Sequence, residues 1–255
     1  LCLRGMAGAV SRGMGMPMRP DSARCPGGDR CERLFRAAPA YDVVTGVAAF
    51  GRDGVCGDNH AFFTLPNGSC MIAVSDGMGC GAQASAMSES ALTLAEQLYQ
   101  AGFDDGYIFS TVNQVLRTRT DQETFATLDL CRIDQVQGEA EFIKFGAAAS
   151  YLYREGRADM IAGSALPVGI LDAVSPVMNR RSVSEGDYLV MVTDGIEDAV
   201  GLNRMRAWVA QHLRQAHNPQ QTAEAMLADA LHRAEGRVDD MTVLVSRVLH
   251  NRPEG

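Results

Sequence analysis

Two segments of the chain nearly repeat each other: Met71-Ile72-Ala73-Val74-Ser75-Asp76-Gly77-Met78 and Leu189-Val190-Met191-Val192-Thr193-Asp194-Gly195-Ile196. Each is an apolar run of strand type closed by a hydroxyl residue, an aspartate and a glycine, so each sets a carboxylate at the C-terminal end of a strand. The glycine removes side-chain bulk and lets its own carbonyl approach a cation or its waters. A third segment reverses this order, because Asp239-Asp240-Met241-Thr242 opens the apolar strand Val243-Leu244-Val245. If that strand runs antiparallel to the other two, all three acidic groups meet at one edge. Asp58 is a fourth candidate, following Gly57 in a turn ahead of a strand expected at 60–65.

Carboxylates gathered in this way repel one another by several kcal/mol at an effective dielectric of roughly 20, so they call for a counter-charge. Oxygen-only ligation suits Mg²⁺ or Mn²⁺, whereas zinc favours histidine or cysteine, and His60, His212, His217, His232 and His250 show no ligand spacing. Two such ions can acidify and orient a water and neutralise charge developing on a phosphoryl group, so hydrolysis needs no side-chain nucleophile. Ser75 and Thr193 have no adjacent base and are read as hydrogen-bonding groups. Asp-Gly after a strand is a common structural turn, so the weight rests on the set of four.

These residues need strands to carry them. The patterning predicts strands at about 43–50, 60–65, 69–75, 124–134, 139–145, 149–154, 157–161, 180–184, 187–193 and 241–248, close enough together for antiparallel pairing. Helices are expected at about 82–100, where Met87, Ala91, Leu94 and Leu98 recur at helical spacing, at about 105–118, over Met205 to His217, and over Pro219 to Glu235. Residues 1–40 are rich in Gly, Pro, Arg and Met without either period, and read as a flexible linker or tail ahead of a domain at 41–250.

Composition narrows the class further. A chain of 255 residues, 46% of them hydrophobic, can bury one sizeable core. Its longest apolar runs, such as Tyr188 to Val192, fall far short of the ~20 residues of a membrane span, so this piece is expected to be soluble. It begins at Leu1 without a compact apolar leader, and is read as a fragment of something longer. A formal charge of −8 argues against nucleic acid as a partner. Lys144 is the sole lysine beside many arginines, a bias read as coding composition. Seven scattered cysteines suit free thiols in a reducing compartment; Cys25 and Cys31 flank a loop with no second ligand pair nearby, and Cys80 is expected close to the aspartates.

The ordered set Tyr41-Asp42-Val43-Val44-Thr45-Gly46, Gly57-Asp58-Asn59, Ser75-Asp76-Gly77-Met78-Gly79, Phe125-Ala126-Thr127-Leu128-Asp129-Leu130, Leu166-Pro167-Val168-Gly169, Thr193-Asp194-Gly195 and Asp239-Asp240-Met241-Thr242 resembles the metal-dependent protein phosphatase (PPM) family, and within it the sporulation branch, over roughly four-fifths of the chain. The resemblance implies an α+β fold, a four-layer α/β/β/α sandwich with two antiparallel sheets between helical layers. It implies two Mn or Mg ions per site, with Asp58 and Asp76 as the catalytic pair, Asp76 bridging the ions, the Gly77 carbonyl and Asp58 completing one ion's shell, and Asp194 and Asp239 holding the other. Asp240 and Asn59 would stand behind these ligands, and Arg52 is the nearest candidate to bind phosphate. Met78 replaces the histidine of the eukaryotic branch, which leaves the general acid unassigned. Helices at about 82–118 look like the family's regulatory switch.

The implied activity is serine/threonine phosphoprotein phosphatase. The implied substrate is a phosphoserine on a small anti-sigma-factor antagonist whose dephosphorylation releases a sigma factor during sporulation. A homodimer is the other partnership considered, and a membrane enters only through a segment absent here, on whose cytoplasmic side the fragment would work. The competing reading is a catalytically weak or inactive partner-switching module of the same fold.

Overall fold

The structure, a computed structural model, describes residues 3–24, 32–118, 125–234, 236 and 238–251. In chain order the elements are α1 (Leu3–Met14), β1 (Met18–Arg24), β2 (Glu32–Ala37), β3 (Tyr41–Phe50), β4 (Asp58–Thr64), β5 (Cys70–Asp76), α2 (Gly81–Gln100), α3 (Asp105–Thr118), β6 (Leu128–Asp134), β7 (Glu139–Phe145), β8 (Ser150–Arg154), β9 (Arg157–Ile161), β10 (Val177–Ser182), β11 (Tyr188–Val192), α4 (Asp194–Val200), α5 (Met205–Leu213), α6 (Pro219–Arg233) and β12 (Met241–His250). Among the described residues the strands form two antiparallel five-stranded sheets, ordered β10-β7-β6-β5-β4 and β3-β12-β11-β8-β9, and a separate β1-β2 ribbon. The fold class is α+β, as the resemblance implied.

Strand alternation explains the layering. In β6, Leu128 and Leu130 join the cluster packed against α2 and α3, while Cys131 and Ile133 point to the other face. In β11, Leu189 and Met191 face inward, and Val190 and Val192 pack on α4, α5 and α6 with Trp208, Val209 and Met226. Ile72, Phe142, Leu152, Leu189 and Leu244 meet between the sheets, so each sheet is apolar on both faces. The four layers run α2/α3, first sheet, second sheet, then α4 to α6. No helix of the described residues is long and apolar enough to cross a membrane.

Several boundaries depart from the sequence reading. The first forty residues, expected to lack regular structure, carry α1 and the β1-β2 ribbon. Their glycines and prolines mask a half-buried stripe of Met6, Ala7, Val10 and Ser11, and Ser11 Oγ accepts from Met18 N at 2.8 Å to fold the helix onto the ribbon. Asp58 is the first residue of β4, not part of a preceding turn. Thr193-Asp194-Gly195 does not end in a turn but starts α4, a helix the patterning did not predict. The Cys25 to Cys31 loop lies outside the described residues.

Close approach sets one glycine requirement in this scaffold. Asn218 caps α6 by accepting from Gln220 N and Gln221 N, and this first turn lies against Gly46 of β3. A Cβ on Gly46 would come within 2.2 Å of Gln220 N. Gly46→Ala is therefore expected to cost about 1–3 kcal/mol of stability through forced displacement of α6. Urea unfolding followed by circular dichroism measures that loss, and an unchanged midpoint would contradict it.

Candidate metal centre

The four predicted aspartate groups reach one end of the sandwich from both sheets. β12 does run antiparallel to β11, but β5 belongs to the other sheet, so the acids meet across the gap between sheets and not along one sheet edge. On the first sheet Asp58 and Asp76 stand directly opposite each other in the β4-β5 register. Like charges in that position are destabilising, so the pairing calls for a reason. Asp76 is pinned by Thr127, just ahead of β6: its N–H donates to Thr127 Oγ1 at 2.9 Å, its carbonyl accepts from Thr127 N at 2.8 Å, and Ser75 Oγ donates to Thr127 O at 2.6 Å.

The chain beyond Asp76 turns into α2 through Gly77, whose missing side chain is essential. A Cβ there would lie 1.9 Å from the carbonyl oxygen of Ala84 in the first turns of α2. Asn59 faces the same helix and not the acids. Its amide donates to Ser85 O and Ser88 Oγ at 2.9 Å, and Ser88 Oγ donates to Gly57 O at 2.5 Å. On the second sheet, Asp194 occupies the first turn of α4, Gly195 packs where a Cβ would meet Asp240 O at 2.1 Å, and Asp239 and Asp240 lead into β12.

One hydroxyl ties the two halves together. Thr193 Oγ1 donates to Asp58 Oδ2 at 2.8 Å and accepts from Thr242 N at 2.9 Å. Asp240 is buried and spent on the 50–57 loop, its oxygens accepting from Arg52 N at 2.8 Å and Gly57 N at 2.7 Å. Asp239 is exposed and accepts from Asp240 N at 2.9 Å. A cleft of about 420 Å³ is lined by Asp76, Gly77, Asp194, Asp239 and Asp240, with Arg52, Met78 and Cys80 at its wall. Arg52 is largely exposed, its guanidinium near Asp53 and Cys80.

The electrostatics follow from this crowding. Burial, offset in part by the Thr193 hydroxyl, lifts the Asp58 pKa to about 6. Burial followed by the charges of Asp58 and Asp194 lifts Asp76 to about 9. Asp194 is raised by loss of water in the cleft, then by Asp239 and Asp198. Asp58 Oδ1 is buried with no hydrogen-bond partner among the described residues. As they stand, no three acidic, histidine or cysteine side chains among the described residues converge tightly enough to hold an ion. The donor set nevertheless fits a hard divalent cation: it is almost all oxygen, it is over-supplied with negative charge, and it keeps a buried carboxylate oxygen unpaired.

Sequence reasoning thus found the acids but not what orients them. Ser88 sits in a stretch whose pattern is that of an ordinary helix, and Thr127 falls inside the Phe125–Leu130 motif of the family resemblance without any sign of its bonds to Asp76.

Comparison with known proteins agrees with this architecture. The fold is that of the PP2C-type protein phosphatases, and the sequence profile of "Stage II sporulation protein E (SpoIIE)" matches residues 66–249. The chain belongs to that family. It is 32% identical over 230 residues to stage II sporulation protein E of Priestia megaterium, covering 88% of this chain and 39% of that protein, so it spans about two fifths of its relative. The solved phosphatase domain with a fragment of the regulatory domain of SpoIIE from Bacillus subtilis superposes with a TM-score of 0.79 at 27% identity, over 98% of this chain and 76% of that one. The catalytic domain of the serine/threonine phosphatase PstP, solved in complex with 2 manganese ions, shares the fold with a TM-score of 0.66 at 16% identity, over 82% and 99% of the two chains.

Folding raises Asp58 and Asp76 above the 3.8 of an ordinary aspartate. Their contribution is therefore most favourable below that value, and is lost as pH climbs through about 6 and about 9. The metal-free protein is expected to lose thermal stability across this window, and Mn²⁺ or Mg²⁺ to restore it most at the alkaline end. Asp76→Asn should flatten the pH dependence and remove the metal-induced rise in Tm; differential scanning fluorimetry across pH checks both. Gly77→Ala should weaken the metal-induced rise by displacing α2, although no carboxylate is altered.

Proposed function

We propose that this chain is a metal-dependent serine/threonine phosphoprotein phosphatase. The observation that carries the reading is the Asp58–Asp76 pair, opposed in register with one Asp58 oxygen buried and unpaired among the described residues, with Asp76 lining a cleft that also holds Asp194 and Asp239. Asp58, Asp76 and the Gly77 carbonyl would hold one Mn²⁺ or Mg²⁺, and Asp76, Asp194 and Asp239 a second. When bound, such ions supply a water of lowered pKa and offset the charge of a phosphoryl group. Family membership and the manganese-bound PstP fold support the assignment of metal and reaction class.

The chain's own residues have distinct parts in this scheme. Burial pushes both Asp58 and Asp76 towards protonation, the charges of Asp58 and Asp194 adding to the push on Asp76, and a cation beside them would favour the ionised forms. Thr193 holds one Asp58 oxygen, and the other, buried without a partner among the described residues, would be available to an ion. Asp240 and Asn59 act indirectly, the first by clamping the loop that carries Arg52, the second by seating α2 against β4. Arg52, exposed at the cleft wall, would meet a phosphate dianion. Met78 at the wall cannot donate a proton, so the proton for the serine leaving group would come from another group.

The substrate we infer is a phosphoserine on a small anti-sigma-factor antagonist, in keeping with the sporulation family. Hydrolysis of a phosphopeptide or aryl phosphate should require added Mn²⁺ or Mg²⁺ and be abolished by chelator. Asp76→Asn and Asp239→Asn should each lower turnover by about 10²-fold or more. Arg52→Ala should raise KM more than it lowers kcat. Absence of metal-stimulated turnover on every phosphoprotein tried would favour the alternative, a partner-switching phosphoprotein-binding module.

A further inference from the structure

Lys144, the chain's sole lysine, is wholly buried between the sheets. It lies on β7 opposite Asp129 of β6, and its Nζ donates to Asp129 Oδ2 at 2.5 Å and to Ser150 Oγ at 2.8 Å. Ser150 Oγ donates to the same carboxylate oxygen at 2.8 Å and closes the triangle. Asp129 and Lys144 belong to the first sheet, and Ser150 opens β8 of the second. This is a charged bridge across a gap otherwise filled by Ile72, Phe142, Leu152 and Leu189.

Stability does not account for it. Desolvating two charges offsets most of their attraction, and an apolar pair of similar volume commonly does as well. Asp129 Oδ1 is even left buried without a partner among the described residues. What an ion pair supplies beyond an apolar contact is a fixed distance and direction, because three hydrogen bonds tolerate little variation.

The two ends of the bridge lead to the two halves of the aspartate cleft. Two residues before Asp129, Thr127 makes the hydrogen bonds that hold Asp76. Immediately before Ser150, the N–H of Ala149 donates to Glu197 Oε1 at 2.8 Å, and Glu197 lies in the same short helix as Asp194, which opens it. Resting on the metal-site reading above, the geometry points to the Lys144–Asp129–Ser150 triad as the positioning group of that site. It sets the spacing of the two sheets where Asp76 and Asp194 face each other, and so fixes how well these carboxylates share a divalent ion.

The test compares Mn²⁺ binding with folding. In Lys144→Met/Asp129→Asn both charges go at nearly unchanged volume; in Ser150→Ala the ion pair stays and only the tie to the second sheet is cut. Arg154→Met is the control, since it breaks the Arg154–Asp187 pair at the far end of β8, away from the cleft. Each is measured by circular dichroism, thermal unfolding and Mn²⁺ titration followed by electron paramagnetic resonance, at a temperature where all are folded. The double variant is expected to bind Mn²⁺ about 10–100-fold more weakly while keeping its fold, as when groups supporting metal ligands are lost elsewhere. Ser150→Ala should weaken binding several-fold, and Arg154→Met should lower Tm without changing Mn²⁺ affinity. Wild-type Mn²⁺ affinity in a folded Ser150→Ala and double variant overturns the proposal, as does a loss equally large in the control. If the unaltered chain binds no Mn²⁺, the metal-site reading fails first, which is a separate result.

Discussion

Much of this molecule is organised around a repulsion. Asp58 and Asp76 face each other across two neighbouring strands, with Asp194 and Asp239 brought up to the same cleft from the opposite sheet. Without a counter-charge the arrangement is unfavourable, and burial together with the neighbouring acids shifts three of these acids towards protonation. A scaffold that keeps such groups together must hold their backbones by other means. Thr127 holds the Asp76 backbone with hydroxyl and peptide hydrogen bonds, and the Thr193 hydroxyl ties the Asp58 carboxylate to Thr242 of the opposite sheet.

The sandwich explains why the acids can converge at all. Each sheet contributes strand ends to the same rim, and the apolar layer between the sheets runs up to that rim before giving way to Asp58, Asp129 and Lys144. Helix α2 starts directly behind Gly77, within van der Waals distance of its backbone, so any shift of that helix reaches the Asp76-Gly77 segment. The site is therefore coupled mechanically to its outer helical layer on one side and to the inter-sheet gap on the other. The chain belongs to the stage II sporulation protein E family and has the PP2C-type fold.

The acids themselves were legible from the primary chain, because two near-identical strand endings and an Asp-Asp strand opening are local patterns. Most strand and helix positions were legible for the same reason: periods of 2 and 3.6 are written in consecutive residues. Where the reading failed, the cause was non-local. Asp58 joins β4 because Asp76 lies opposite it, and α1 was hidden by glycines whose helix is closed by a hydrogen bond from outside, to Met18.

Residue types and spacing alone showed carboxylates placed next to apolar strands, in an α+β protein of a recognisable family, since those features depend on neighbours in sequence. Only the tertiary structure decided that the acids come from two different sheets, that Asp240 and Asn59 face a loop and a helix instead of the cleft, and that the sole lysine bridges the sheets. Those outcomes depend on which strands lie next to which, and on burial, neither of which any short stretch of sequence encodes.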